Sequence, residues 1–430
     1  MDPHRPSWES CWETVGQSDI GLRRGNNQDS LAIWIANTEE QWRQRGHLFV
    51  VADGMGAHAA GELASKMATD LVPLGYHKLL DRPPHEALAQ AVRDANAQIH
   101  ARGMASDDFR GMGTTVSALA VLPHGAIIAH VGDSRVYRLR GEVIEQLTFD
   151  HSLVWELRRA GQFPAGETLS YIPKNIITRS LGPNPEVQVD LEGPFSIQAG
   201  DVFLLCSDGL SGQVRDEEIG KILSILPPQE AVRTLIDLAN LRGGPDNITV
   251  IVARVAAEPG CPPQAASRRE RGRVPRWLPW LLGLSGIGLA AVGGYLLVAR
   301  RNALAAGLVA VAAACGAAAK LLARPVRMGP SPTPDRLGSA PYARKECRPD
   351  LEFVSELARI SQQLREAALE ADWKVAWDQF RAYEAQAETA TGKKEYAEAA
   401  RAYCRAISFM MEELRHQQPG EGGPPSPFVR

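Results

Sequence analysis

Leu48-Phe-Val-Val-Ala-Asp-Gly-Met-Gly-Ala-His58 is an apolar run that stops at a carboxylate followed by glycine. Five apolar residues, among them the β-branched Val50 and Val51, read as a buried strand that has to turn at Asp53-Gly54. The carboxylate therefore stands at the mouth of a strand. Gly54 has no Cβ, so its carbonyl can come close to whatever Asp53 binds, and a hard divalent cation is the natural candidate. One Asp-Gly pair is an ordinary turn. Here the pattern recurs, because Asp133, Asp208 and Asp246 each stand beside a short apolar run as well.

Around that stretch, from about residue 12 to 256, short β-rich runs alternate with amphipathic helical stretches. Residues 15–20, 48–52, 115–122, 126–131, 135–139, 202–206 and 248–255 read as strands. Residues 60–80 and 85–101 read as helices, the second carrying Ala87, Leu88, Ala91, Val92, Ala95 and Ile99 on one face, and further helices are expected over 153–160 and 229–241. Strands grouped in runs between helices favour an α+β layered domain over a doubly wound sheet. Residues 161–182 show no clear period and read as a loop-rich flap beside the site.

The 430-residue chain is long enough for two or three domains, and its formal net charge of -3 points to no nucleic-acid or acidic-polymer partner. Cysteines at 11, 206, 261, 315, 347 and 404 have no close pair and no zinc-like spacing, as in a reducing compartment. The N-terminus is polar, so no signal peptide is read and the first domain is expected to stay in the cytoplasm.

After residue 256 the composition changes. Residues 257–276 form a basic linker whose Arg268, Arg269, Arg271, Arg273 and Arg276 precede Trp277. Residues 277–299 carry no charged side chain before Arg300, which is enough to cross a hydrocarbon core of roughly 30 Å. Residues 303–319 are uncharged and alanine-rich, so 277–323 hold one or two transmembrane helices. The arginine collar places the first domain on the cytoplasmic side of the cell membrane. Two spans return the C-terminal part to that side, whereas one leaves it outside. Residues 324–345 read as a proline-rich linker and 417–430 as a disordered tail. In between, 346–416 regain helical period, with Val354, Leu357, Ile360 and Leu364 on one face and Trp373, Trp377, Phe380 and Tyr383 on another. Tyr396, Ala399, Tyr403 and Ala406 space like part of a tetratricopeptide repeat, and a small helical bundle is the alternative. Either could take a protein partner.

Several motifs carry the chemistry: Asp19-Ile-Gly-Leu-Arg-Arg-Gly-Asn-Asn-Gln-Asp-Ser30, Asp53-Gly54, Gly111-Met-Gly-Thr-Thr115, Val131-Gly-Asp-Ser-Arg135, Leu147-Thr-Phe-Asp-His-Ser152, Leu205-Cys-Ser-Asp-Gly-Leu210 and Gly244-Pro-Asp-Asn-Ile-Thr249. Two carboxylates about 5 Å apart repel by roughly 3 kcal/mol at an effective dielectric near 20. Clustered aspartates therefore protonate or splay unless cations neutralise them. All-oxygen ligands without a Cys/His set select magnesium or manganese over zinc. Two such ions can share a water and lower its pKa, giving a nucleophile without serine or cysteine. Arg24 is the candidate to hold an anionic substrate, since a guanidinium grips two phosphate oxygens at once.

In order and spacing these motifs closely resemble the metal-dependent protein phosphatases of the protein phosphatase 2C family, in their bacterial form, over roughly residues 12–256. The resemblance implies a central β-sandwich flanked by helical layers, and hydrolysis of phosphoserine and phosphothreonine in proteins by a metal-activated water. It implies that Asp53 bridges two Mn2+ or Mg2+ ions, that Gly54 gives its carbonyl to the second, and that Asp208 and Asp246 complete the first. Asp133 joins Asp208 at a third, weaker metal site seen in bacterial members. By the same resemblance Arg24 binds the phosphate, Asp29 holds metal-bound waters, Asn247 supports the Asp246 loop and residues 153–182 tune substrate access. The implied partners are phosphorylated proteins and a cognate Ser/Thr kinase or its substrates. Gln28 stands where many relatives have glutamate, Met55 where animal and plant relatives have a histidine, and Ala57 where glycine is usual. His58 and His151 read as structural. Two other readings of the same fold are an inactive phosphopeptide-binding membrane receptor or scaffold and a phosphatase regulating a sigma-factor pathway. Retention of Arg24 with the aspartates argues against the receptor.

Overall fold

The computed structural model describes residues 11–56, 59–161, 176–256 and 336–417. These belong to one unit that joins Met1–Gly260 to Arg336–Arg430, and Cys261–Asp335 form a second unit that lies outside the described residues. The proposed membrane spans at 277–323, the linker before Arg336, the disordered tail from 418 and the replaced residue Ala57 with its neighbour His58 fall outside them too. Among the described residues no helix is long and apolar enough to cross a membrane.

In chain order the strands are β1 (Trp12–Asp19), β2 (Asp29–Trp34), β3 (His47–Met55), β4 (Gly113–Thr114), β5 (Val116–Leu122), β6 (Gly125–Val131), β7 (Arg135–Arg140), β8 (Val143–Gln146), β9 (Asp190–Phe195), β10 (Val202–Cys206), β11 (Ile248–Val255) and β12 (Ala343–Glu346). The helices are α1 (Glu39–Gln44), α2 (Ala60–Lys78), α3 (Pro84–Met104), α4 (Leu153–Arg159), α5 (Asp208–Ser211), α6 (Asp216–Ile225), α7 (Pro228–Leu241), α8 (Leu351–Glu370), α9 (Trp377–Gly392) and α10 (Tyr396–Gln417). One six-stranded sheet runs β1-β11-β10-β7-β8-β12, and the other runs β2-β3-β5-β6-β9 with β4 on β3.

Alternation along the strands builds three apolar layers. In β3, Phe49 and Val51 face the core between the sheets, while Leu48, Val50 and Ala52 face α2 and α3. In β10, Phe203 and Leu205 enter the same central core, while Leu204 and Cys206 join α6 and α7. A pleated strand buried on both faces serves two cores at once, which is why these runs read as continuously apolar. The result is the α+β sandwich with helical layers outside both sheets.

Three sequence expectations change. Residues 343–346, of which 343–345 were expected in the linker and 346 at the start of the helical region, form β12, which pairs antiparallel with β8 from Ala343↔Gln146 to Glu346↔Val143. A short charged edge strand carries no alternating signal, and only the waiting edge of β8 fixes it. Gln417, assigned to the tail, ends α10 and exchanges hydrogen bonds with Lys374. The C-terminal helices form an all-α layer in which Val354, Leu357, Ile360, Leu364, Ala399 and Ala406 share one core with Ile219, Leu223 and Leu235 of α6 and α7. They pack on α6 and α7 instead of stacking into a repeat array, so the tetratricopeptide-like reading gains no support.

Candidate active site

Antiparallel pairing brings one end of both sheets together. Asp53 lies at the far end of β3 and is the register partner of Asp29 at the start of β2. Asp133 follows β6, Asp208 follows β10 and Asp246 precedes β11, while Arg24 sits in the loop between β1 and β2. The carboxylates converge: Asp53 feels Asp29, Asp208, Asp133 and Asp246, and Asp208 shares a hydrogen bond with Asp53.

The close approach depends on glycine. A Cβ on Gly209 would meet the Asn247 carbonyl oxygen at 2.0 Å, and one on Gly54 would meet the Gly61 carbonyl oxygen at 2.1 Å. The loops carrying Asp208 and Asp246 therefore touch backbone to backbone.

Asn247 ties the pieces together. Its Nδ2 donates to the Ile20 and Asn26 carbonyls at 2.8 and 3.1 Å, its Oδ1 accepts from the Gln28 amide at 2.8 Å, and its own amide donates to Asp246 Oδ1 at 2.9 Å. The Arg24 loop and the Asp246 loop are thereby stapled to each other. Gln28 gives its carbonyl to the Gly54 amide at 3.1 Å and to Ser65 Oγ, and its Nε2 donates to the Gly56 carbonyl at 3.3 Å. Here it is a brace for the Asp53 turn.

Two residues quoted in the motifs but given no role support the carboxylates. Thr115 Oγ1 accepts from the Asp53 amide at 2.9 Å, and Ser207 Oγ donates to Asp29 Oδ2 at 2.7 Å. Ser207 directly precedes Asp208 and Thr115 closes the Gly-Met-Gly-Thr-Thr motif, which is the signal the sequence offered. Arg135, largely covered and two residues from Asp133, is held by Asp150 through Nε at 3.0 Å and Nη2 at 2.7 Å. His151 accepts from the Gly132 amide at 2.9 Å and meets Asp190 at 3.0 Å, so both ring nitrogens are committed to structure.

Burial dominates the electrostatics. It pushes Asp29 up to about 7 and Asp133 up to about 8, with the neighbouring carboxylates adding to the rise. Asp53 is raised well above the usual range by burial and then by Asp29 and Asp208, and Asp208 is raised by burial and then by Asp246. One oxygen each of Asp29, Asp133 and Asp208 is buried without a hydrogen-bond partner. Orphaned carboxyl oxygens on converging side chains suit hard divalent cations, whose charge would reverse the repulsion. Among the described residues no three His, Cys, Asp or Glu side chains close a cage around one ion. With the carboxylates converging but not closing a cage, water would complete the coordination, as small hard cations commonly require.

Arg24 donates from Nη2 to Asp246 Oδ2 at 2.7 Å, with side chains 48% and 32% exposed. Its charge is strengthened by that bond first and by Asp53 and Asp208 after it. A solvent-facing guanidinium at the rim of buried carboxylates can exchange its partner for an incoming phosphate. The flanks of the segment expected to form a flap are joined to each other by a bridge between Ser152 and Ile177 and by Thr178 Oγ1 donating to Glu156 at 2.6 Å; residues 162–175 lie outside the described set.

Comparison with known proteins agrees with this geometry. Residues 22–238 match the family described as "Protein phosphatase 2C". The "Protein phosphatase PhpP" of Streptococcus pneumoniae is 40% identical over 245 residues, 56% of this chain and 96% of that protein. The "Serine/threonine phosphatase stp" of Listeria innocua is 38% identical over 242 residues, 55% of this chain and 93% of that protein. Among solved structures, the S. agalactiae serine/threonine phosphatase superposes with a TM-score of 0.50 at 37% identity, over 57% of this chain and 99% of its own. Staphylococcus aureus Stp1 gives 0.51 at 30% identity, over 59% and 99%.

Proposed function

We propose a mechanism and a setting for this chain, which belongs to the protein phosphatase 2C family and is a serine/threonine protein phosphatase. It acts on phosphoserine and phosphothreonine in proteins; Asp53, Asp208 and Asp246 would hold divalent ions, the Gly54 carbonyl would offer a further oxygen, and Asp133 with Asp208 would hold an additional ion. The observation that carries this reading is the cluster of buried carboxylates with orphaned oxygens, set beside a half-exposed arginine. When bound, Mn2+ or Mg2+ would neutralise the carboxylates and activate water for attack on phosphorus.

The remaining work falls to the chain itself. Arg24 leaves Asp246 to hold two phosphate oxygens, which frees Asp246 to turn its charge inward. Asp29, held through Oδ2 by Ser207, presents its orphaned Oδ1 to solvent entering the site. Thr115 and Asn247 fix the backbones of Asp53 and Asp246, so the ligands need not be ordered at each turnover. Hydrolysis of p-nitrophenyl phosphate with Mn2+ tests the reading. Turnover in the parent that Asp208→Ala abolishes supports it, and turnover in neither protein supports a phosphopeptide-binding receptor.

We further propose that residues 277–323 tether the phosphatase to the cell membrane as a two-span hairpin, with the catalytic unit cytoplasmic. The sequence of the spans and their arginine collar supports the tether. Pairing of β12 with β8 supports the hairpin, because chain on either side of the spans then shares one sheet and an even number of crossings is required. Protease protection in inverted and right-side-out vesicles tests it: both flanks are expected to be cut from the same side, and opposite sides refute it.

A further inference from the structure

A 245-residue alignment already covers 96% of the pneumococcal relative, yet here α8–α10 continue the core of α6 and α7. The seam between α7 and α10 is built as a ladder. Arg405 donates to Glu230 at 2.8 Å, Thr234 and Ser408 share a hydrogen bond at 3.1 Å, Arg233 donates to Glu412 at 2.8 Å and Arg415 pairs with Asp237. Partners on both helices recur every three or four residues, so one face of each is committed to the other. Asp237 is fully buried, and Arg415 is the charge bonded directly to it, with Arg233 adding a weaker attraction.

The other end of α7 leads into the active site. Arg242, directly after the helix, donates to Glu218 at 2.6 Å and, across the seam, to Glu356 of α8 at 2.9 Å. The next residues are Gly243 and Gly244, at φ 113 and 43, and the turn they make delivers Asp246. Gly244 also accepts from the Leu22 amide at 2.8 Å, and Asn240 Nδ2 donates to Asp19 at 3.0 Å, which fixes the loop that carries Arg24. Glu356 therefore lies three links from a metal-ligand carboxylate, through Arg242 and a pair of left-handed glycines that any rotation of the helix end would displace.

We propose that the C-terminal helical layer sets the metal affinity of the catalytic site by clamping α7, with Arg242 and Glu356 as positioning residues, so that whatever loosens this layer turns the phosphatase down. The inference rests on the reading of Asp246 as a metal ligand. A rigid clamp holds Asp246 and Arg24 at a fixed separation. A loosened one lets the Asp246 loop drift outward while Asp53 on β3 and Asp208 just after β10 stay where those strands put them.

The test is Mn2+ binding to the full chain by calorimetry, alongside amide exchange across residues 240–247. Glu356→Gln removes the charge that Arg242 and Arg215 share. It is expected to weaken Mn2+ binding about 5-fold and speed exchange in that turn, with kcat at saturating Mn2+ close to the parent. Glu366→Gln, on the exposed face of α8, is expected to change neither. Should Glu356→Gln fail to fold, Glu356→Asp, which keeps the charge but shortens its reach, is read the same way. Parent-like binding and exchange in the Glu356 variant overturn the clamp, as does a loss of kcat at unchanged affinity. No Mn2+ binding in the parent would instead defeat the reading of the site itself.

Discussion

Gly209→Ala isolates the geometry of the site from its chemistry, because the substitution touches no carboxylate. The new Cβ would lie 2.0 Å from the Asn247 carbonyl oxygen, where contacts under 3.0 Å are essentially never seen, so the two backbones must part by at least about 1 Å. One of them carries Asp208 and the other Asp246. Neither neighbour can yield cheaply, since Ser207 donates its amide to Thr249 at 3.1 Å and Asn247 is stapled to three separate groups. The cost in stability is about 1–3 kcal/mol, typical of overpacking. The cost in turnover is larger, on the order of 10²-fold, because a displacement near 1 Å at a catalytic constellation spoils alignment of reacting groups. Gly392→Ala at the end of α9, where a Cβ meets nothing within 4 Å, serves as the control and is expected to leave turnover unchanged. Urea denaturation and p-nitrophenyl phosphate kinetics in Mn2+ measure the two effects. A folded Gly209→Ala protein with parent-like turnover would refute the contact between the Asp208 and Asp246 loops.

Asp133→Asn relieves the carboxylate cluster. Burial raises Asp133 to about 8, so its ordinary carboxylate value is exceeded in the folded state and metal-free stability declines as pH rises from about 4 through 8. In chelator at pH 7 the variant is expected to be more stable than the parent by about 2 kcal/mol and to gain less from Mn2+, as thermal melts would read. Arg24→Ala is expected to raise KM at least about 10-fold while moving stability by less than about 0.5 kcal/mol, since its ion pair is half exposed. His130 is held neutral by burial, which lowers it to about 3. Its contribution to stability is complete above the unfolded value near 6.5 and is lost as pH falls towards 3. With Mn2+ present, unfolding free energy is therefore expected to fall by up to ~1.4 kcal/mol per pH unit below 6.5, and His130→Gln to flatten that slope in denaturation at stepped pH.

The parts of this molecule that were legible are those whose own residues fix them. The run 48–52 is apolar on both faces because it serves two cores, and α3 shows its buried stripe at helical spacing. The aspartates were legible because the same carboxylate beside an apolar run recurred, and antiparallel pairing then had to bring those ends together. Elements defined by a partner were harder to read. β2 is half-buried along its whole length and β12 is charged, so neither alternates. α6 had a usable signal, with Asp216, Glu217 and Glu218 in its first turn before Ile219, Ile222 and Leu223, and it went unread. In the C-terminal helices the apolar faces of Val354, Leu357 and Ile360 were plain, but a face does not name what covers it. The cover is α6 and α7, and the pairs that specify it, such as Asp237 with Arg415, are 178 residues apart.

Titration of the intact chain with Mn2+, with proton release followed in the same experiment, tests the central claim most directly. Carboxylates kept protonated by burial and mutual repulsion have to lose those protons when ions arrive. The account predicts saturable binding of about two ions per chain, release of protons that grows as the starting pH is lowered from 8 to 6, and loss of both in Asp53→Asn. Binding by Asp53→Asn equal to the parent, or binding in the parent without proton release, would contradict it.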